Sequence, residues 1–250
     1  MTPEMKGLIK NKIEEMLSRE YCCSIDDLRG KDVVFSTRVT DAPFLKILAY
    51  RDCVVVCTSE KLKLKIKDIL QGKSRDEIFE IPFVYGQTIH CIPDGYDKDG
   101  KFGSTEYDFD ILLDNEVKLL KGVSGFENSL SFDEKGYTPT KVVCIARDNG
   151  KIIGIAGASE TYVSNVLEVG VDVLEDYRKS KIGTRLVKQL TYELLKQKIV
   201  PFYSASVTNI ASQMVANRCG YIPMWIDTYG NIFDGSSVYN EMLTGIKIDI

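Results

Sequence analysis

The chain has 250 residues, 44% of them hydrophobic and 27% charged, with a formal net charge of −4 and a pI near 5.3. Such a composition excludes extended disorder and collagen-like repeats, and the acidic balance excludes a broad nucleic-acid footprint, which needs a basic surface. Charges through the first twenty residues (Glu4, Lys6, Lys10, Lys12, Glu14, Glu15) leave no apolar core for a secretory signal, and no run approaches the roughly 20 apolar residues of a membrane span, so a cytoplasmic location is expected.

Met5, Leu8, Ile9, Ile13, Met16 and Leu17 recur at helical spacing, which predicts an opening amphipathic helix. Strand-like runs follow at 32–38, 44–50 and 53–58, the last two divided by Arg51-Asp52 as in a tight hairpin. Residues 60–70 carry both periods. Leu62, Ile66, Ile69 and Leu70 behind Ser59 favour a helix with its lysines on a solvated face. Tyr85, Gln87 and His90 read as turn and core-strand residues, with an acceptor pocket at a domain junction as the alternative. Dense Gly, Asp and Lys from 93 to 105 mark an exposed loop, which places a boundary between an α/β domain of unknown role at 1–110 and a second domain at 111–250.

Two short helices are expected at about 114–121 and 125–132, then strands at 141–147 and 151–159 around Asp148-Asn149-Gly150, a strong hairpin signal. The run from Val166 to Val173 alternates, with Leu167, Val169, Val171 and Val173 on one face and Gly170 where a ligand or backbone can approach closely. Ile182, Leu186, Val187, Leu190, Leu194 and Leu195 stripe a helix over about 181–197, followed by a strand at 202–207. Asn209 caps a further helix, with Ala211, Met214, Val215 and Cys219 as its inner face and Gly220 as its left-handed stop. Strands at 221–228 and 237–247 close the chain.

Seven cysteines (22, 23, 53, 57, 91, 144, 219) without paired spacing read as reduced thiols. With His90 the single histidine, no metal site is expected, and His90 itself reads as a hydrogen-bonded structural residue.

The chemistry concentrates where a strand, a basic turn and a helix meet. A helix that starts just after a strand presents unpaired N–H groups and the positive end of its dipole, a receptor for phosphate oxygens. Arg178, Lys179 and Lys181 add positive charge there, and Gly183 leaves room at the first turn. The alternative is a solvated basic corner. No Gly-x-x-x-x-Gly-Lys-Ser/Thr and no Gly-x-Gly-x-x-Gly follows any strand.

Tyr177-Arg178-Lys-Ser-Lys181-Ile-Gly183, followed by Asn209 and by Gly220-Tyr221 at a helix end, resembles the GNAT superfamily of acetyl-CoA-dependent N-acyltransferases over about 115–245. The family's pyrophosphate loop is Arg/Gln-x-x-Gly-x-Gly/Ala; Lys181 stands where its first glycine would be. The resemblance implies an α/β (α+β) class with a GNAT-type mixed, mostly antiparallel sheet flanked by helices. It implies acetyl-CoA as acyl donor, held by Val171, Asp172, Val173, Arg178, Lys179, Ser180, Lys181, Ile182, Gly183, Thr184 and Asn209. A primary amine of a small molecule or peptide would attack the thioester directly; Glu168, on the same strand, reads either as its base, acting directly or through a water, or as an ordinary strand-end carboxylate, and the acid would be Tyr221, Tyr203 or water. The tyrosine often found seven residues after the asparagine is Ala216 here. That departure motivates the alternative of a catalytically weak acyl-CoA-binding sensor or regulatory module. Neither nucleic acid nor membrane is an expected partner, and a homodimer is left open.

Overall fold

The computed structural model describes residues 1–81, 84–95 and 106–230; the expected strand at 237–247 lies outside them. In chain order the elements are α1 (Pro3–Glu20), α2 (Ile25–Arg29), β1 (Val33–Arg38), β2 (Leu45–Tyr50), β3 (Cys53–Ser59), α3 (Glu60–Leu70), α4 (Arg75–Phe79), β4 (Thr88–Pro93) and β5 (Asp108–Leu113). There follow β6 (Thr140–Asp148), β7 (Lys151–Glu160), β8 (Val166–Val173), α5 (Ile182–Lys196), β9 (Val200–Ser206), α6 (Ile210–Arg218) and β10 (Tyr221–Asp227). They gather into two compact units whose segments interleave along the chain.

The second unit takes in Ile13–His90, Ser206–Thr208 and the segment beginning at Met224. Its strands run in the order β1-β3-β2-β10, with β1 parallel to β3 and the other pairs antiparallel. Arg51, at φ +53°, makes the sharp reversal between β2 and β3. The two periods at 60–70 are resolved by burial: Leu62, Ile66 and Leu70 are sealed against Ile47, Val54 and Val56 while Leu64, which would share their face in a strand, is 75% exposed, as helical spacing requires. Buried Glu14 accepts from Arg29 at 2.6 Å and from Tyr50 Oη at 3.0 Å, so its charge is paired within α1's packed face.

The first unit takes in Met1–Lys12, Cys91–Ala205 and Asn209–Pro223. Its sheet runs β4-β9-β8-β7-β6-β5, mixed and mostly antiparallel with helices against it, as the resemblance implies. Asn149 (φ +47°) and Gly150 (φ +84°) form the tight β6–β7 turn that Asn-Gly predicts. Of the two short helices expected, the first is present as a 3-10 helix, Asp114–Leu120, and the second is corrected: residues 125–132 hold a turn, not a helix. Phe126 and Leu130 have helical spacing, but they reach the core beside Val143 and Ile155 from an irregular backbone. The inner face of α6 differs in part: Cys219, just past the helix, is buried as expected and Val215 half-buried, but Ala211 is exposed and Met214 is 45% exposed, and Ala216 is buried in their stead.

Candidate acyl-donor site

The turn before α5 is open. Arg178, Lys179, Ser180 and Lys181 are exposed, and Lys179 (φ +65°) and Lys181 (φ +68°) are both left-handed, so the chain coils tightly ahead of the helix. Lys181 occupies the N-cap with no side-chain capping bond. Among the described residues no acceptor engages the backbone amides of residues 179 to 184; the first bonded amide is Arg185, to the Lys181 carbonyl at 3.0 Å. Unbonded N–H groups, a helix dipole and three exposed cations therefore coincide at one surface. A diphosphate fits that donor set.

The turn is also held from outside. Tyr177 Oη donates to Asp148 at 2.9 Å, Arg178 Nε donates to the Val173 carbonyl at 3.2 Å, and Ser180 Oγ donates to the Tyr177 carbonyl. A Cβ on Gly183 would stand 3.5 Å from Val173 Cγ2 and 3.8 Å from Val171 Cγ2, so this glycine faces the seam between helix and strand.

That seam leads to an opening in the sheet. β9 pairs with β8 in parallel only from Val166 to Val169, opposite Val200 to Tyr203. Beyond Val169 the edge of β8 has no described partner. On its other side β8 stays paired with β7 through Val173, and the Leu174 amide donates to the Ile153 carbonyl at 2.9 Å. Alternation from that bond turns Gly170 and Asp172 towards β7 and leaves the N–H and C=O of Val171 and the N–H of Val173 on the open edge, the Val173 carbonyl being taken by Arg178 Nε at 3.2 Å. Fixed donors on an exposed strand edge suit an extended amide-bearing arm.

Asp172 has other commitments. Its backbone faces β7, and its carboxylate accepts from the Asn128 amide (3.0 Å), Asn128 Nδ2 (2.6 Å), the Ser129 amide (2.9 Å) and Ser129 Oγ (2.9 Å). Cross-strand partners Gly157 and Gly170 make this contact fit: a Cβ on either would lie 1.8 Å from the Ser129 carbonyl oxygen or 1.9 Å from that of Asn128. The close approach expected at Gly170 is thus made by backbone. Pleating puts Glu168 on the same face as Gly170 and Asp172, exposed and opposite Ser159. Sequence reasoning missed the Asn128–Ser129 pair; the signal for it was Asp172 on the same strand face as Gly170, whose cross-strand partner is a second glycine, Gly157.

Asn209 caps α6, its side-chain oxygen accepting from the Ser212 amide at 3.1 Å. Tyr221, one of the expected acids, is 1% exposed, its hydroxyl is shared with Thr191 Oγ1 at 2.7 Å, and burial pushes its pKa far up. Tyr203 stands where β8 and β9 part, with its hydroxyl 2.8 Å from Ser212 Oγ and its pKa raised by burial. The seven cysteines are free, and burial pushes the Cys91 thiol up to about 11 and those of Cys144 and Cys219 up to about 12, which makes them inert. His90 has the structural place expected of it, bonded to Asp227 at 2.9 Å and stacked on Trp225.

Residues 116–221 match the family model described as the acetyltransferase (GNAT) family. No curated protein matches the chain. Solved structures similar to it include a GCN5-related N-acetyltransferase-like protein from Streptococcus suis, 17% identical with a TM-score of 0.45, over 72% of this chain and 81% of that one. A GNAT-family protein from Novosphingobium aromaticivorans is 17% identical with a TM-score of 0.43, over 57% of this chain and 62% of that one, less than two thirds of its length. An acetyltransferase of the GNAT family from Colwellia psychrerythraea is 12% identical with a TM-score of 0.41, over 57% and 55%.

Proposed function

We propose that this chain, whose residues 116–221 form a domain of the GNAT acetyltransferase family, moves an acetyl group from acetyl-CoA to the primary amine of a small molecule or peptide. The observation that carries the reading is the unbonded, exposed amide run from 179 to 184, set beside cations at 178, 179 and 181. In this reading those amides and Arg178, Lys179 and Lys181 hold the diphosphate. The open edge at Val171 and Val173 aligns the pantetheine arm, and Asn209 lies beside it.

Acetyl-CoA supplies the activated thioester. The chain's task is to place its carbonyl beside fixed N–H donors of β8, where charge develops as the amine attacks; one such donor is worth about 3 kcal/mol of barrier. Glu168, an exposed carboxylate on the same strand, is the proposed acceptor of the amine's proton. With the hydroxyls of Tyr221 and Tyr203 both buried and hydrogen-bonded within the protein, we assign the leaving thiolate's proton to water. Among the described residues no helix is long and apolar enough to cross a membrane.

The test is calorimetry with acetyl-CoA on the wild type and Gly183→Glu, beside thiol release with a panel of primary amines. Wild-type binding and turnover are expected, with binding lost in the variant while its circular dichroism melt persists. Unchanged affinity in the variant would overturn the loop assignment. Sealed Tyr221 and Ala216 together favour one rival, a sensor that binds acetyl-CoA and transfers nothing. Binding without turnover of any amine would select it.

A further inference from the structure

Four hydrogen bonds on one carboxylate, made by two consecutive residues more than forty positions away, are more than a strand needs to stay folded. Their location gives them a meaning. Asp172 lies between Val171 and Val173, whose backbone lines the open edge of β8, while its own side chain leaves the strand on the sheet face that also carries Glu168. On that face the Asn128–Ser129 backbone is pressed onto the strand at Gly170, the residue at which the split between β8 and β9 begins. Of the two, Asn128 is exposed on the face that carries Glu168, whereas Ser129 is buried behind it.

Resting on the acyltransferase reading, we propose that Asp172 is a positioning residue for the acceptor. It fixes Asn128–Ser129 as the wall against which the amine is selected, and it does so from the strand that also aligns the donor. Two features support this over a purely structural contact. The glycines at 157 and 170 are cross-strand partners, and each leaves space that a single Cβ would fill, so the wall's closeness to the strand is built from both sides. The exposed side chain of Asn128 is oriented by Asp172 at 2.6 Å, which holds an amide at the rim of the split instead of letting it rotate into solvent. Ser129 Oγ also donates to the Phe126 carbonyl, so the segment keeps its inner anchor when the carboxylate is changed.

The experiment compares the wild type with Asp172→Asn, Asp172→Ala and Ser129→Ala in three measurements. They are acetyl-CoA affinity by calorimetry, steady-state kinetics with n-propylamine, phenethylamine, 1,4-diaminobutane and a tetrapeptide bearing a free α-amine, and amide hydrogen exchange of residues 125–130. For the amine turned over fastest, Asp172→Ala should raise KM about tenfold and narrow the differences among amines, with kcat and acetyl-CoA affinity changed less than about threefold. Asp172→Asn, whose amide oxygen still accepts from the Ser129 backbone, should recover part of the loss, and Ser129→Ala should shift KM in the same direction by less. Exchange at 125–130 should rise in the order Ser129→Ala, Asp172→Asn, Asp172→Ala. Faster exchange with unchanged amine KM would overturn the acceptor role while leaving the acyltransferase reading intact, and so would parallel losses of amine KM and acetyl-CoA affinity. Failure of the wild type to bind acetyl-CoA would sink the acyltransferase reading and this proposal together, and the calorimetry of the unmodified protein identifies that case by itself.

Discussion

Lys181 and Gly183 divide the work of the α5 entry between charge and shape. A left-handed lysine costs about 1 kcal/mol relative to glycine at the same φ, so Lys181→Gly should hold or slightly raise the melting temperature while weakening acetyl-CoA binding, because an ammonium is lost from the phosphate site. Gly183→Ala should behave similarly for a different reason. The methyl meets Val173 and Val171 at ordinary contact distance and improves helix propensity by about 0.5–1 kcal/mol, yet it narrows the seam beside the proposed donor arm. Calorimetry paired with thermal melts checks both; a fall in stability for either would contradict the backbone account. Asp227 illustrates a residue tuned by its neighbours. Burial alone would raise its pKa, but the hydrogen bond and charge of His90 and the Lys46 ammonium at 3.0 Å outweigh that and hold the carboxyl below its ordinary value of 3.8. A depressed carboxylate stabilises the fold fully above its unfolded pKa, and the gain fades as pH falls through the folded one. Asp227→Asn should therefore cost about 3 kcal/mol near neutrality, and its deficit against the wild type should shrink as pH drops below 3.8.

At the level of elements, β8 performs two tasks by alternation: odd-numbered residues from 169 to 173 face α5 with their side chains, and even-numbered ones face the Asn128–Ser129 segment. α6 is held in place at its start, and Asn209→Ala should cost about 1 kcal/mol by leaving the Ser212 amide uncapped, measurable as a lower midpoint in urea. These elements also show what a sequence discloses. The Leu186-Leu190-Leu194 stripe, the Asn149-Gly150 turn and the Asn209 cap are local signals, and each produced the element expected of it. Residues 125–132 are governed only in part by local bonds. One local turn forms there, with the Ser129 and Leu130 amides on the Phe126 carbonyl, but the Asn128 and Ser129 amides also donate to Asp172, 44 and 43 positions later, and the helical spacing of Phe126 and Leu130 is not extended into a helix. Met214 misled for a related reason: nine residues give too few turns to fix which face of α6 is buried, and Ala216, a weaker apolar signal, took the inner place. The open edge of β8 was invisible because nothing in the letters of 170–173 says where β9 stops following them.

For the whole molecule, the chain does not divide at a single loop. Cys91–Pro93 of β4 lies in the same unit as β9, and Met1–Lys12 belongs to that unit too, with Lys6 paired to Asp94 at 2.6 Å. A fragment 111–250 would leave β9 with a bare edge and should be aggregation-prone, whereas adding residues 1–110 as a separate polypeptide should improve its recovery; size-exclusion profiles of the two preparations check this. The interleaving bears on biosynthesis. A ribosome releases β4 more than a hundred residues before β9 exists to pair with it, so the strand must wait beside the tunnel exit without its neighbour. Polar punctuation around it, at Asp94 and Gly95, helps keep that waiting segment from seeking a partner on another nascent chain.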